Sequence, residues 1–496
     1  MHTPTQDDVR IIMQSTRNVF CYVDILNENF KKIGTLDGQV ITDSYSFDAN
    51  SDIRKTMSLT LHVSDSSLLI GRDKKIWFDK YLDVYFGIQN NRTGEIVRHP
   101  IGLFLFYDVG YQYDAASQTL TLSLVDRVAD LNGDRRGELA GTGTIIPAES
   151  DMRDAIVKTV TQLGGITTYR VDDIGQTVPY DLEFGQGAHV WQILTQLRDL
   201  YPGWEMFFDR DTFIYQAYPT TTSAPVVLDD TILKPLVISE NQTNQMNVIR
   251  NVVEVWGKCL DAEHYTETVT GTADAITATY ESVSELSNGD TFGFQAVSDN
   301  TGACTFQVNA FTAYPILGEN NAELTAGQIA ADKSYVVKYK SVGSNNYFYF
   351  QGEYQVAAIA KLVAAEPTEE KKAEELANEP TDNIVYVVEP ESPYVIEAIG
   401  EMRTNHHGGE YDNIYSEDLA VQRAKYDLWL ATDMRDTITI ECIEIPWLDV
   451  NQKVRYTSLS SRITSEYIIT NKSGSTTGGT MNLTMVKFQP LYSWAE

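Results

Sequence analysis

From Val19 to Asp130 the chain runs through short apolar stretches that alternate residue by residue: FCYVDIL, MSLTLHV, LDVYFGI, IGLFLFYDVGYQYD and TLTLSLVDRV, with turn residues between them. Side chains on a strand point to opposite faces in turn, so a period of two buries one face and leaves the other polar. In TLTLSLV, Leu120, Leu122 and Leu124 share one face. The repeated spacing predicts an antiparallel sandwich or barrel of roughly seven strands.

Further along, the period changes. In ESDMRDAIVKTVTQLGG, Ser150 is placed to cap a helix and Asp151 to sit in its first turn. Ile156, Val160 and Leu163 recur at helical spacing before Gly164 and Gly165. A second helix follows, with Val190, Ile193, Leu194 and Leu197 as its stripe, then a hairpin turning at Asp209, Arg210 and Asp211. Residues 134–235 therefore read as an α+β domain after a first β domain over 1–133.

A strand in NVIRNVVEVWGK opens a further domain, but from Asp261 to about Glu353 the composition turns to Thr, Ser, Gly and Asn in alternating runs. This predicts an inserted all-β module over 263–355. The Ala/Glu/Lys-rich stretch after it predicts a helical linker over 356–383. The interrupted β domain, 236–262 and 384–496, then resumes. It contains a helix with Ser416 at its cap, Glu417 and Asp418 in its first turn, and an inward stripe of Ala420, Ala424, Leu428 and Ala431. Its last two strands are joined across NKSGSTTGG. The expected class is mainly β with some α+β, in several domains.

Charge narrows the functions. The formal net charge is -31, from 69 acidic against 38 basic residues, so most of the surface repels nucleic acid. Cys21, Cys259, Cys304 and Cys442 stand far apart with no C-x-x-C, which predicts free thiols, mostly buried, rather than a zinc ribbon or disulfide scaffold. The first residues carry two aspartates and no apolar core of a secretory signal, and no apolar run is long enough to span a bilayer.

Chemistry-bearing motifs are sparse. TNHHGGEYDNI gathers His406, His407, Glu410 and Asp412, but adjacent histidines on a strand point to opposite faces, so a turn built on Gly408 and Gly409 is the expected role. DANSDIRKTMSL places Asp48, Asn50 and Asp52 as a calcium loop would, yet Ile53 stands where that loop needs Gly and Leu59 where it needs Glu. GTGTII and GQGAHV lack the third glycine of a dinucleotide fingerprint. A glycosidase needs only two facing carboxylates, which 69 acidic residues do not allow the sequence to single out. No catalytic residue, metal ligand or cofactor is assigned.

In order along the chain, TLTLSLVDRVADLNG (119–133), VWQILTQLRDLYPGWEMFFDRDTFIYQ (190–216), NVIRNVVEVWG (247–257) and, above all, residues 392–458 resemble the hub proteins of bacteriophage tail tips and baseplates. The last segment includes a Pro-x-Leu-Asp loop at Pro446, Leu448 and Asp449. TFQVNAFTAYPIL and ELTAGQIAADKSYVVKY resemble the small β-modules of tail fibres. The resemblance implies two tail-tube-like β-barrel domains per chain and a non-enzymatic homotrimer. Its channel would join a sixfold tube to a threefold spike or fibre and pass the genome, with a tape measure protein as a further partner. It also implies a virion protein assembled in the host cytoplasm. An acidic channel wall would account for the net charge. The alternative is an extracellular glycan-binding or glycan-degrading β protein.

Overall fold

The structure is a computed structural model. It describes residues 4–488 except 37, 64, 114–117, 142, 220–221, 229–234, 260–261, 319–320, 343–344, 355–356, 366–383, 389–392, 415–416 and 432–434. The chain is mainly β and divides into two compact units, Met1–Ile249 with Asp433–Glu496, and Arg250–Thr432.

The first unit opens with helix α1 (Gln6–Ile12). Its signal was present in TQDD: Thr5 accepts from the Asp8 backbone N–H, and Asp8 accepts from Thr5, a reciprocal cap. Seven strands follow: β1 (Val19–Leu26), β2 (Lys32–Thr35), β3 (Val40–Asp48), β4 (Lys55–His62), β5 (Tyr81–Gln89), β6 (Ile96–Tyr113) and β7 (Gln118–Val125). Then come β8 (Thr144–Ile146), α2 (Met152–Lys158), β9 (Tyr169–Val171), β10 (Leu182–Phe184), α3 (Val190–Leu200), β11 (Trp204–Asp209), β12 (Thr212–Ala217), β13 (Val226–Leu228) and β14 (Val237–Gln245).

The second unit holds β15 (Val252–Cys259), the module strands β16 (His264–Thr266), β17 (Val269–Thr272), β18 (Ala275–Ala278), β19 (Thr291–Gln295), β20 (Thr305–Val308), β21 (Tyr314–Leu317), β22 (Ser334–Val342) and β23 (Asn345–Glu353), then β24 (Ala357–Ala365), β25 (Ile384–Val388), α4 (Ile396–Ile399), β26 (Arg403–His407) and α5 (Glu417–Ala431). The chain returns to the first unit with β27 (Arg435–Ile443), β28 (Lys453–Thr457), β29 (Thr464–Ser475) and β30 (Thr480–Lys487).

Strands from both ends of the sequence share one sheet, in the order β14-β27-β30-β29-β3-β4-β7-β6-β5-β1-β2, with β28 beside β29 and β13 beside β28. The join is β29 against β3, where Asn471 faces Asp48 and Ser473 faces Ser46. One buried core backs both halves, running from Tyr45, Met57, Leu59 and Leu122 to Ile438, Cys442, Met481 and Leu483. Residues 252–259 and 403–407, assigned by sequence to the second β domain, lie instead in a four-stranded sheet of the other unit, ordered β25-β24-β15-β26.

Three local expectations also change. The cap of α2 is Asp151, whose side chain accepts from the Asp154 N–H at 2.9 Å. Residues Thr159–Leu163 continue as a π-turn, which inserts an extra residue into the stripe, so Val160 stays buried while Leu163 is exposed. Where a helical linker was expected from residue 356, Ala357–Ala365 is strand β24, paired antiparallel with β15 from Val252↔Val363. Its Val363 and Ala364 are buried against a strand whose Val252, Val253 and Val255 are inaccessible, and that packing outweighs the helix preference of its alanines. Residues 366–383 of the expected linker, and the Ser416 cap, lie outside the described residues.

In the second unit, β16–β23 form an eight-stranded sheet around its own aromatic core, including Phe292, Phe294, Phe306 and Phe348. Helix α5 buries Ala420, Ala424 and Leu428. Cys21, Cys304 and Cys442 are free and buried.

Behind the β29–β3 join sits a buried charge cluster. Lys472 (1% exposed) pairs with Glu444 (0%) at 3.0 Å, and its Nζ also donates to the Leu448 carbonyl at 3.1 Å. Tyr45 of β3 donates its hydroxyl to Glu444. Burial, then the Glu444 charge, raises the Tyr45 phenol well above its usual range, so it stays a donor. Nearby, Lys55 at the start of β4 pairs with Asp449 at 2.7 Å, and Arg54 pairs with Glu205 of β11 at 2.6 Å. Removing one partner leaves the other buried and unpaired. Lys472→Met is therefore expected to destabilise the first unit by about 3–5 kcal/mol. Lys472→Met with Glu444→Leu is expected to recover most of that in urea unfolding.

Glu240 of β14 fastens the turn after β28. It accepts from the Leu459 and Ser460 backbone N–H groups at 2.8 and 2.9 Å and from the Tyr456 hydroxyl. Burial opposes its ionisation, but these donors outweigh it and bring the carboxyl from 4.5 down to about 2. A depressed folded pKa contributes stability above the unfolded value and loses it as pH falls through the folded one. Glu240→Gln is expected to cost about 1 kcal/mol at pH 7. The gap between the two proteins should narrow between pH 4.5 and pH 2, as read from denaturant midpoints across that range.

Candidate functional site: a hydroxyl-lined sheet face

Eight strands of the first unit, β14, β27, β30, β29, β3, β4, β7 and β6, turn one side to the core and leave most of the other open, apart from Leu103, Leu105 and Val125, which a second apolar cluster covers. Registers place the open-side residues in rows. One runs Asn241, Thr439, Thr484, Asn471. Another runs Thr42, Thr60, Thr121, Gly110. A third links Ser58, Ser123 and Asp108. None of these residues is buried.

The face is made mostly of Ser, Thr, Asn and Gln, with Val486, Ile468, Gly110 and His62 among them. Its acidic side chains among the described residues are Asp48, Asp108, Glu441 and Glu466, spread over eight strands. Short hydroxyl and amide groups hydrogen-bond water and create little net field, and they offer neither a greasy patch nor the clustered cations that hold phosphate. The sequence carried the signal: TLTLSLV fixes Leu120, Leu122 and Leu124 inward and thereby Thr119, Thr121 and Ser123 outward. What it did not reveal is that seven other strands contribute the same chemistry to the same surface.

Three features fix the face at its join. Asp43 of β3, buried, accepts from the Thr476 and Thr477 backbone N–H groups at 2.7 and 2.8 Å, clamping the β29–β30 turn. NKSGSTTGG, expected as a loop, is strand through Ser475 because β3 and β30 both pair with it. Gly474 lies where a Cβ would meet the Tyr45 hydroxyl at 2.7 Å and the Thr480 carbonyl at 2.6 Å, so the closest approach of the two halves admits no side chain.

TNHHGGEYDNI, in the second unit, resolves into a structural knot. His406 is half-buried on β26 and its ring stacks on Tyr411 at 5.1 Å, while His407 faces the other way and is exposed. Tyr411 donates to Asp427 of α5 at 3.0 Å, and Arg423 bridges Asp427 at 3.1 Å and Glu410 at 2.6 Å while lying over the Tyr411 ring. Burial raises the Asp427 carboxyl above its usual range against the pull of Arg423. Gly408 and Gly409 both have positive φ, 73° and 60°, as the turn required. His406 and Glu410 are thus drawn into one cluster, and Asp412 is exposed outside it. Among the described residues no group of three or more His, Cys, Asp or Glu is placed to hold a metal ion.

The calcium-like stretch is the β3–β4 turn. Asp48 accepts from the Asn50 N–H at 2.9 Å, and Ile53 packs on the apolar cluster around Leu105 and Val125. GQGAHV leads into α3, but His189 already caps it, its Nδ1 accepting from the Gln192 N–H at 3.2 Å. The sheet does bring two carboxylates face to face, Asp24 and Asp83, yet each is held by a base: Lys32 on Asp24 at 2.7 Å and Arg210 on Asp83. Asp427→Ala, which strands the Arg423 charge, is expected to lower the second unit's stability by about 3 kcal/mol or more. His407→Ala should stay within about 0.5 kcal/mol, both read from thermal or denaturant unfolding.

A family model described as a domain of unknown function (DUF5048) matches residues 391–492. No curated protein matches the chain. Among solved structures, the chain is similar to the prophage MuSo2 43 kDa tail protein from Shewanella oneidensis, with 9% identity, coverage of 95% of this chain and 98% of that one, and a TM-score of 0.49. It is similar to the tail protein from Neisseria meningitidis MC58 at 10% identity, 94% and 97% coverage and a TM-score of 0.45. It is also similar to the prophage tail protein gp18 from Listeria monocytogenes EGD-e at 8% identity, 94% coverage of both chains and a TM-score of 0.42.

Proposed function

We propose that the chain is a structural, non-enzymatic hub of a phage tail tip or baseplate, a homotrimer whose channel wall is the hydroxyl-lined face. The observation that carries this reading is that N-terminal and C-terminal strands build one eight-stranded face of mostly short polar side chains with few charges. A conduit for a polyanion must be wetted along its length and must not grip phosphate. A lining of hydroxyl and amide groups with few charges meets both needs, while the strongly acidic remainder of the chain discourages nucleic acid from settling elsewhere. Two of the segments that resemble tail hubs lie partly on this framework: 119–133 covers most of β7, and 392–458 contains β27 and β28. Tail tube or distal tail proteins on one side and a spike or fibre on the other are the partners this role requires, with a tape measure protein inside the tube and genome passing through.

Light scattering of the purified protein is expected to give a mass of three chains, and negative-stain images a ring or cup of threefold symmetry. A stable monomer that cleaves polysaccharide would overturn the reading. A second test addresses the wall itself. Thr60→Lys with Thr121→Lys, both on the open face, is expected to make the assembly retain duplex DNA on a filter at low salt. Retention should fall steeply with added salt, while the unaltered protein retains none.

A further inference from the structure

The loop from Ser66 to Lys80, between β4 and β5, carries apolar side chains of two kinds. Leu68 and Ile76 are buried in the core of the first unit, while Leu69, Ile70 and Phe78 are 41%, 49% and 66% exposed. The exposed ones are held in place. Ile70 and Ile76 form a bridge that closes the turn between them, and the Lys75 N–H donates to the Ser67 carbonyl at 2.9 Å. The Tyr111 hydroxyl accepts from the Ile70 N–H at 2.8 Å and donates to the Leu68 carbonyl at 3.1 Å. Arg135 lies over the Phe78 ring and donates to the Phe78 carbonyl. Tyr111 and Tyr113, both exposed on β6, continue the patch along the strand. Apolar side chains fixed side by side in water mark an interaction surface.

The turn closed by the Ile70–Ile76 bridge is GRDKK, residues 71–75. Arg72, Lys74 and Lys75 stand there against one acid, Asp73, and none of the three bases has an ion-pair partner among the described residues. Lys80, by contrast, is paired with Asp79 at 2.8 Å. In a chain of net charge -31, this turn is a local reversal of sign next to an apolar patch.

We infer that this loop is the docking site for an acidic, apolar segment of a different tail protein, which grips the ring from outside. The direction rests on the channel reading above. Leu68 and Ile76 pack into the core behind the open face, so the loop lies on the opposite side of the sheet and turns outward where the open face turns in. Charge complementarity selects the occupant: carboxylates meet Arg72, Lys74 and Lys75, and apolar side chains cover Leu69, Ile70 and Phe78. A bilayer fits less well, because a broad anionic plane would also meet the acidic remainder of the chain, whereas a short segment meets only the patch. Copies of this chain in a closed ring meet flank to flank, which leaves the outer side free for another protein.

The test uses the full chain in cells that produce whole tails, with benzoylphenylalanine in place of Phe78. On irradiation, position 78 is expected to couple to one segment of a different tail protein, rich in Asp, Glu and apolar residues. The same photoreactive group in place of Thr60, on the open face, should not couple to that segment. With Arg72→Glu, Lys74→Glu and Lys75→Glu together, coupling from position 78 should fall about tenfold or more. Changing the acids of the coupled segment to Lys should restore it, which a misfolded loop would not allow. Coupling to another copy of this chain, to lipid, or to a segment without an excess of acids overturns the docking site. A threefold ring in which position 78 couples to nothing also overturns it and leaves the channel reading standing. A purified protein that stays a monomer, yet couples to the acidic segment in tails, supports the docking site and overturns the channel reading instead.

Discussion

The pairing of β29 with β3 is the constraint on which the first unit depends. Residues more than 420 positions apart in sequence lie side by side there, and without that join the N-terminal and C-terminal strands would each expose an edge and half a core. The join is backed by Lys472 and Glu444, a fully buried ion pair steadied by Tyr45 and two carbonyls. A buried pair of this kind adds less net stability than apolar residues of the same size would, but it tolerates one arrangement, since any slip leaves a charge unsatisfied in the core. That property suits a junction of two flat, polar-faced strands, where hydroxyl side chains alone would specify register weakly.

Once the join is fixed, the remaining features follow from it. The inward residues of both halves merge into one core, and the outward residues become one surface. The clamps at Asp43 and Glu240 then hold the turns that flank this surface. The surface is chemically uniform because alternation forces it to be. On β7, Leu120, Leu122 and Leu124 must point inward, and the small polar residues between them point out. On β30, Met481, Leu483 and Met485 do the same with Asn482 and Thr484 between. A functional reading of such a protein comes from the chemistry of a whole face rather than from a constellation of catalytic groups. The one cluster that had the look of a catalytic or metal site, around His406, has its polar groups engaged in fastening α5 to β26.

How far the sequence led depended on the range of the forces involved. Local signals were readable: the alternation of β7, the stripe of Val190, Ile193, Leu194 and Leu197, the turn glycines Gly408 and Gly409. Errors arose where a distant partner overrode a local preference. Ala357–Ala365 has the composition of a helix and becomes a strand because β15 offers it a buried valine surface. Asn471–Ser475 has the composition of a loop and becomes a strand because β3 and β30 pair with it. Leu163 has the spacing of a core residue and is exposed because the π-turn before it shifts the stripe.

By itself, the sequence determined which residues face inward and which outward on each strand, since the two-residue period is a property of the extended backbone. It determined, too, that the adjacent His406 and His407 point to opposite faces of their strand. Tertiary structure alone decided which strands are neighbours. It placed Asn471 beside Asp48 and Asn241 beside Thr439, and so turned scattered serines and threonines into one open wall. It also moved the 252–259 strand out of the domain to which sequence order had assigned it. Those choices rest on hydrogen bonds and burial between segments hundreds of residues apart, which no local pattern encodes.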